Sequence, residues 1–348
     1  MTLDVLTSRI GPSVLAAAAL AALLSAPAWA QSLPGSGKTV RYSQSNALGA
    51  TYIQDQVVQS ALGKLGYKVT VSMLAPTAFY QAASQGDMDF STSINWPQNQ
   101  VPYRRVEQQL ALVGDGSIIG GGINGYLVDK KTAEARGLTN FAQLKDPKIA
   151  ALFDTNKDGK ADLNNCDPGW SCGDVVDFQL NAFGLSDTVK SVRGKYEVLM
   201  GETFSRFRAG EPVLFYTWSP SWVVNTLLPG RDVVWLPTPH DALPAGVVSS
   251  GTSLVQGVVG CAGGQDPCRM TIGAWNYVSI VNRKFMAENP AVRVLFENLR
   301  FPLETWIQWE GVISKTKNDR DIRKAADEWI VQNQAKFDEW VRLAAAAK

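Results

Sequence analysis

The chain has 348 residues, 45% of them hydrophobic, with 33 basic and 32 acidic side chains and a net charge of +1. That length predicts two domains and a core large enough to fold without help from cross-links. A near-neutral balance without a basic stripe, acidic tail or low-complexity run argues against nucleic acid or an anionic membrane surface as a partner.

Residues 1–30 read as a secretory signal peptide. Arg9 precedes an apolar run from Val14 to Leu24, and Ala28-Trp29-Ala30 supplies an A-x-A cleavage site ending near Ala30. The run is too short for a stable span, and no later stretch is long and apolar enough to insert. No cysteine adjoins the cleavage site to carry a lipid. The mature chain is therefore expected in the periplasm of a two-membrane bacterium. Gly35-Ser36-Gly37-Lys38-Thr39 has the look of a phosphate loop, but Ser32 stands where the first glycine belongs and a strand follows, so it is a leader.

Strands and helices then alternate. Thr39–Ser43 is a predicted strand, and Leu48–Leu65 a helix with Tyr52, Ile53, Val57, Ala61 and Leu62 on one face, stopped at Gly66. Lys68–Met73 is a strand, Pro76–Ser84 a helix, and Met88–Asn95 a strand that delivers Trp96 at its end. Gly125–Val128, Glu211–Tyr216, Asp232–Leu236 and Trp275–Val281 are further strands, and Asn140–Leu144 a short helix. Helices are predicted over Lys284–Arg300 and Asp319–Ala346. The alternation predicts an α/β architecture with largely parallel sheets, whose ligand sites form at the carboxyl ends of strands.

Three tryptophans stand in polar surroundings, each close to a helix start or strand end: Trp96 in Asn95-Trp96-Pro97, Trp170 in Pro168-Gly169-Trp170-Ser171-Cys172, and Trp218 in Tyr216-Thr217-Trp218-Ser219. Indole faces attract cations, and three converging faces make a cage for a quaternary ammonium. Trp235, Trp275, Trp329 and Trp340 sit in apolar runs and are expected in the core. Gly169-Trp170-Ser171-Cys172 opens a predicted helix through Val175, Val176, Phe178 and Leu180, whose free amides would hold an anion. A cation cage beside an anion nest fits a small zwitterion such as a betaine.

Four cysteines fall in two close pairs, Cys166 with Cys172 and Cys261 with Cys268, which in an exported chain are expected as disulfides. Asp154, Asn156, Asp158 and Asp162 follow a D-x-N-x-D-G-x-x-D pattern and make a candidate structural calcium site, although Asn165 replaces the bidentate glutamate. The lone histidine, His240, has no nucleophile motif beside it, and no enzyme activity is expected.

The segments Gln143–Ala150, Leu152–Asn156, Asp158–Leu163, Pro168–Trp170, Tyr216–Trp218 and Asp232–Leu236 resemble the periplasmic glycine betaine/proline betaine-binding proteins of ABC importers. The resemblance implies a type II periplasmic-binding-protein fold with the ligand in a cleft between two lobes. Residues 31–122 and 270–348 would form lobe 1, and 123–269 lobe 2. It places Trp96, Trp170 and Trp218 in an aromatic box, and the backbone amides of Ser171 and Cys172 on the ligand carboxylate. The family's carboxylate-binding histidine falls at Gln100, a neutral amide. The implied partners are a betaine and a membrane ABC permease, with no cofactor beyond the candidate calcium, no membrane insertion and a monomeric state. Choline, ectoine or dimethylsulfoniopropionate are the alternative ligands, and an exported hydrolase the alternative class.

Overall fold

The computed structural model describes Met1 and residues 32–347, so the predicted signal peptide and its cleavage site lie outside the described residues. In chain order the strands are β1 (Thr39–Ser45), β2 (Lys68–Leu74), β3 (Phe90–Trp96), β4 (Leu110–Val113), β5 (Ile118–Ile119), β6 (Ile123–Asp129) and β7 (Ala161–Asn164). They continue with β8 (Val189–Val192), β9 (Leu214–Ser219), β10 (Val233–Leu236), β11 (Leu254–Val255), β12 (Cys268–Arg269), β13 (Asn276–Asn282) and β14 (Phe301–Pro302). One five-stranded sheet has the order β2-β1-β3-β13-β4, and a second the order β10-β6-β9-β7-β8. Each is the centre of one lobe.

Neither sheet is largely parallel. β1 runs parallel to β2 and β3, and β7 parallel to β8 and β9. β13 is antiparallel to β3 and β4, and β6 antiparallel to β9 and β10. The parallel pairs are those joined by helical crossovers, which return the chain to the same end of its sheet. β6 and β13 lie at the two points where the chain passes from one sheet to the other. They arrive from elsewhere and need no crossover.

The helix Thr51–Lys64 buries Ile53, Val57, Val58, Ala61 and Leu62, the three-and-four spacing of one face. Two predicted helices are divided. Lys284–Arg300 becomes Arg283–Glu288 and Pro290–Asn298, because Pro290 has no N–H to continue the ladder. Asp319–Ala346 becomes Asp319–Gln332 and Gln334–Ala345, with the Asn333 side chain donating to the Trp329 carbonyl at the break. A helix at Leu303–Ile313, which the sequence reading did not assign, brings Trp306 and Trp309 into the core. Phe301 lies 4.9 Å from the rings of both Trp309 and Trp329 and 5.5 Å from Trp340, so the C-terminal elements share one aromatic knot. Trp235, Trp275, Trp329 and Trp340 are buried as expected.

Glu310, on that unassigned helix, is only 3% exposed. Its carboxylate accepts the Ala50 amide at 2.9 Å, at the start of the helix that follows β1. The Trp222 amide, at the start of a helix that follows β9, lies against the same group and favours its charged form. One carboxylate thus sits between backbone from both lobes. Burial outweighs these contacts and pushes its pKa up to about 8, and Asp55, buried against Tyr42 and Thr92, up to about 7. A carboxyl raised in the folded state binds protons that the unfolded chain has already released, so its contribution falls as pH rises from about 4.5 to 8. We predict a melting temperature that drops across this interval, with a shallower drop in Glu310→Gln. An unchanged slope in that variant, read by circular dichroism melts, would contradict the burial assigned to Glu310.

Candidate functional site

Between the carboxyl ends of β3 and β9 lies a cavity of about 60 Å³. The size suits a small molecule and excludes a peptide. Ser93, Asn95, Gln98, Asn99 and Tyr277 line it from the first-sheet side, and Trp170, Ser171, Cys172, Tyr216 and Trp218 from the second. No acidic, basic or histidine side chain is among its described lining residues.

Trp218 is placed by strand alternation, which turns it and Tyr216 to the same face of β9. Its ring stacks on Tyr196 at 5.0 Å and meets Trp170 at 6.1 Å and 65°, so the two indoles form a corner. Trp170 is fixed from the far side of the cleft, because its Nε1 donates to Asn46 Oδ1 at 2.8 Å. The Gln98 amide lies against the Tyr216 hydroxyl. Burial raises the phenols of Tyr216 and Tyr277 far enough to keep both neutral.

At the other end Trp170 is the N-cap of the helix Ser171–Ala182. The first amides of a helix have no intrahelical acceptor, and those of Ser171 and Cys172 open beside the cavity carrying the positive end of the helix dipole. The disulfide Cys166–Cys172 ties this helix start to the end of β7, and Cys261–Cys268 closes the second loop. Ser171 Oγ donates to Asn99 Oδ1 at 3.0 Å across the cleft. Further bonds hold the lobes together, including Leu48 N to Glu197 Oε1 at 3.1 Å and Trp222 Nε1 to the Leu48 carbonyl at 3.1 Å.

Trp170, Trp218, Ser171 and Cys172 are therefore brought together, and two expected residues are not. Trp96 is absent from the cavity wall and packs edge-on against Tyr103, 5.6 Å away. Ser93 and Asn95 face the cleft, so the alternation of β3 turns Trp96 to the opposite face. Gln100 exchanges two hydrogen bonds with the Val248 backbone, at 2.6 and 3.2 Å, which occupies both ends of its amide outside the cavity. The turn after β3 points Gln98 and Asn99 inward instead. One oxygen of Asn95 and one of Gln98 are buried without a donor, which adds negative potential beside the aromatic walls.

Tyr216 is legible from the alternation of β9, two residues before Trp218 on the same face. Tyr277 had no local signal, since only sheet pairing sets it beside Asn95.

The Asp154–Asp162 loop satisfies its own oxygens. Asp154 accepts the Asp158 and Gly159 amides, Asp162 accepts Thr155 and Asn156, and Asp158 pairs with Lys190 at 2.8 Å. Among the described residues no group of three or more His, Cys, Asp or Glu side chains is gathered as a metal site. His240 packs edge-on to Phe183 at 5.0 Å.

The model for the substrate binding domain of ABC-type glycine betaine transport systems matches residues 38–332. The chain is 40% identical over 339 residues to the glycine betaine/proline betaine-binding periplasmic protein of Escherichia coli (strain K12), covering 97% of this chain and 99% of that protein. It is 38% identical over 321 residues to the glycine betaine-binding periplasmic protein OusX of Dickeya dadantii (strain 3937), covering 91% and 93%. Among solved structures, the glycine betaine/L-proline-binding protein of Borrelia burgdorferi superposes with a TM-score of 0.66 at 17% identity, covering 88% of this chain and 100% of that one. Lactococcal OpuAC, in a closed conformation with glycine betaine, gives 0.64 at 18% identity, covering 87% and 99%. At such identities the two structures speak for the two-lobed fold alone. With a family match that spans most of the chain and relatives near 40% identity end to end, the chain belongs to the family of substrate-binding domains of ABC-type glycine betaine transport systems.

Proposed function

We propose that this chain captures a quaternary ammonium zwitterion, glycine betaine or proline betaine, and delivers it to an ABC permease in the periplasm for osmoprotectant uptake. One observation carries the reading: the cavity is walled by ring faces and a helix start but by no charged side chain. A free cation such as choline would find no counter-charge there, and a simple anion no cation. A betaine brings both charges in one neutral molecule. Trp170 and Trp218 supply faces for the trimethylammonium group, and the Ser171 and Cys172 amides the donors for its carboxylate. Each ring face is worth about 2 kcal/mol when desolvated, so a few supply a large part of the roughly 8 kcal/mol of a micromolar complex.

The rest of the reading follows from the same geometry. The lobes would be divided near residues 122 and 270, where the chain passes between the two sheets. The lining favours a binder over a hydrolase, since Ser171 faces Asn99 and not a base. Calcium at Asp154–Asp162 would be structural and would have to displace Lys190 from Asp158.

Titration calorimetry against glycine betaine, proline betaine, choline, ectoine and dimethylsulfoniopropionate tests the proposal. Betaines should bind most tightly and choline at least tenfold more weakly. Choline binding as tightly as glycine betaine would sink the argument from neutrality. A second expectation concerns the corner itself. Trp218→Leu should weaken glycine betaine by about 30-fold, the equivalent of one desolvated ring face, with the fold retained. An affinity like the parent's would remove Trp218 from the cage.

A further inference from the structure

The turn that follows β1 is gripped by two side chains of the opposite lobe. The Leu48 amide donates to Glu197 Oε1 at 3.1 Å, and the Leu48 carbonyl accepts Trp222 Nε1 at 3.1 Å. Among the described residues neither group has a hydrogen-bond partner within its own lobe. Backbone groups withdrawn from water must be paired, so Leu48 is satisfied by protein only while the lobes are together. None of Leu48, Glu197 and Trp222 is among the described residues that line the cavity.

Both sides of the grip are braced. Glu197 sits in the first turn of the helix Tyr196–Arg208. Its second oxygen lies 3.3 Å from the Lys195 ammonium, which also donates to the Asn46 carbonyl at 3.5 Å. Trp222 opens the helix Trp222–Thr226, and its ring is wedged edge-on against Phe204 at 5.6 Å. From lobe 1 the Lys317 ammonium lies 5.5 Å from the centre of the same ring, a cation–ring contact between lobes. Asn225, on the same short helix, donates to the Ile307 carbonyl at 3.3 Å. Two residues beyond Leu48, the Ala50 amide donates to Glu310, which ties the gripped turn to lobe 1.

We propose that Glu197 and Trp222 form a clasp on the Leu48 backbone that holds the lobes closed and sets ligand affinity from outside the cavity. It rests on the betaine reading above for its ligand, and on the contacts between the lobes alone for its position. A binding protein that is competent only when closed has an apparent dissociation constant inversely proportional to its closed fraction. Contacts made only on closure therefore tighten every ligand by the same factor, whereas contacts to the ligand discriminate. The clasp determines how tightly the chain binds and leaves the choice of ligand to the cavity.

Calorimetry with glycine betaine and proline betaine separates the two kinds of contact. Trp222→Phe keeps a ring and deletes the indole N–H donor, and it should weaken both betaines by about threefold to tenfold. Glu197→Ala should weaken both by at least about tenfold, the larger loss expected for a charged acceptor. Glu197→Gln keeps an acceptor oxygen and should recover part of that loss. In each variant the ratio of the two affinities should stay within about twofold of the parent's. Val198→Ser, at an exposed neighbour of Glu197, should bind like the parent. A spin label at Glu202→Cys, exposed on the helix that carries Glu197, reads closure without betaine. Its broadening of the amide signals around Leu48 in the ligand-free protein should diminish when Trp222→Phe is added. Parent-like affinity in folded Trp222→Phe and Glu197→Ala, a loss confined to one betaine, or unchanged broadening would each overturn the clasp. Failure of the parent to bind either betaine would overturn the functional reading instead, and the spin-label comparison would still decide the clasp.

Discussion

A trimethylammonium group carries a full charge and no hydrogen-bond donor. Water solvates it loosely, and a protein can replace that water with a carboxylate or with the faces of aromatic rings. The choice between these decides what else can bind. A carboxylate in the cavity would welcome any cation of suitable size and would repel the ligand's own carboxylate. Ring faces leave the cavity neutral, so the ligand must supply both charges, and the anionic end can be met by backbone amides at a helix start without a basic side chain. Much of this chain's architecture follows from that one requirement.

Ring faces are worth most where water is excluded, and excluding water from both sides of a small molecule needs two surfaces that close. The two mixed sheets provide them, with β3 and β9 ending at the cleft and the helix from Ser171 opening beside it. Hydrogen bonds between the lobes keep the surfaces in register: Trp170 to Asn46, Ser171 to Asn99 and Trp222 to Leu48. Trp170 therefore has two tasks, offering a ring face to the cavity and a donor to the opposite lobe. Glu310 adds a buried carboxyl group where backbone from both lobes meets.

What could be read from the sequence was what local chemistry determines. Trp170, Ser171 and Cys172 are consecutive, and a glycine, a helix start and a neighbouring disulfide all announce them. Trp218 follows a clear strand. Trp96 lies outside the cavity wall because a strand end offers two faces one residue apart, and the partners of β3 decide which faces the cleft. Gln100 lies outside the cavity wall for the same reason on the scale of a turn, since Gln98 and Asn99 point inward and Gln100 bonds to Val248. Tyr277 was invisible because its place beside Asn95 depends on pairing between strands far apart in the chain. The helix breaks at Pro290 and Asn333 are local signals that interrupt an otherwise continuous helical pattern.

The central claim is spatial: one neutral cavity holds both charges of the ligand, with no ionised side chain against either. A crystal structure of the complex with glycine betaine tests it most directly. The account predicts the ammonium nitrogen within about 6 Å of the ring centroids of Trp170 and Trp218, the reach of a cation–ring contact. It predicts the carboxylate within hydrogen-bonding distance of the Ser171 and Cys172 amides. An ammonium group resting on an acidic side chain, or a carboxylate held by a lysine or arginine drawn into the cleft, would contradict it.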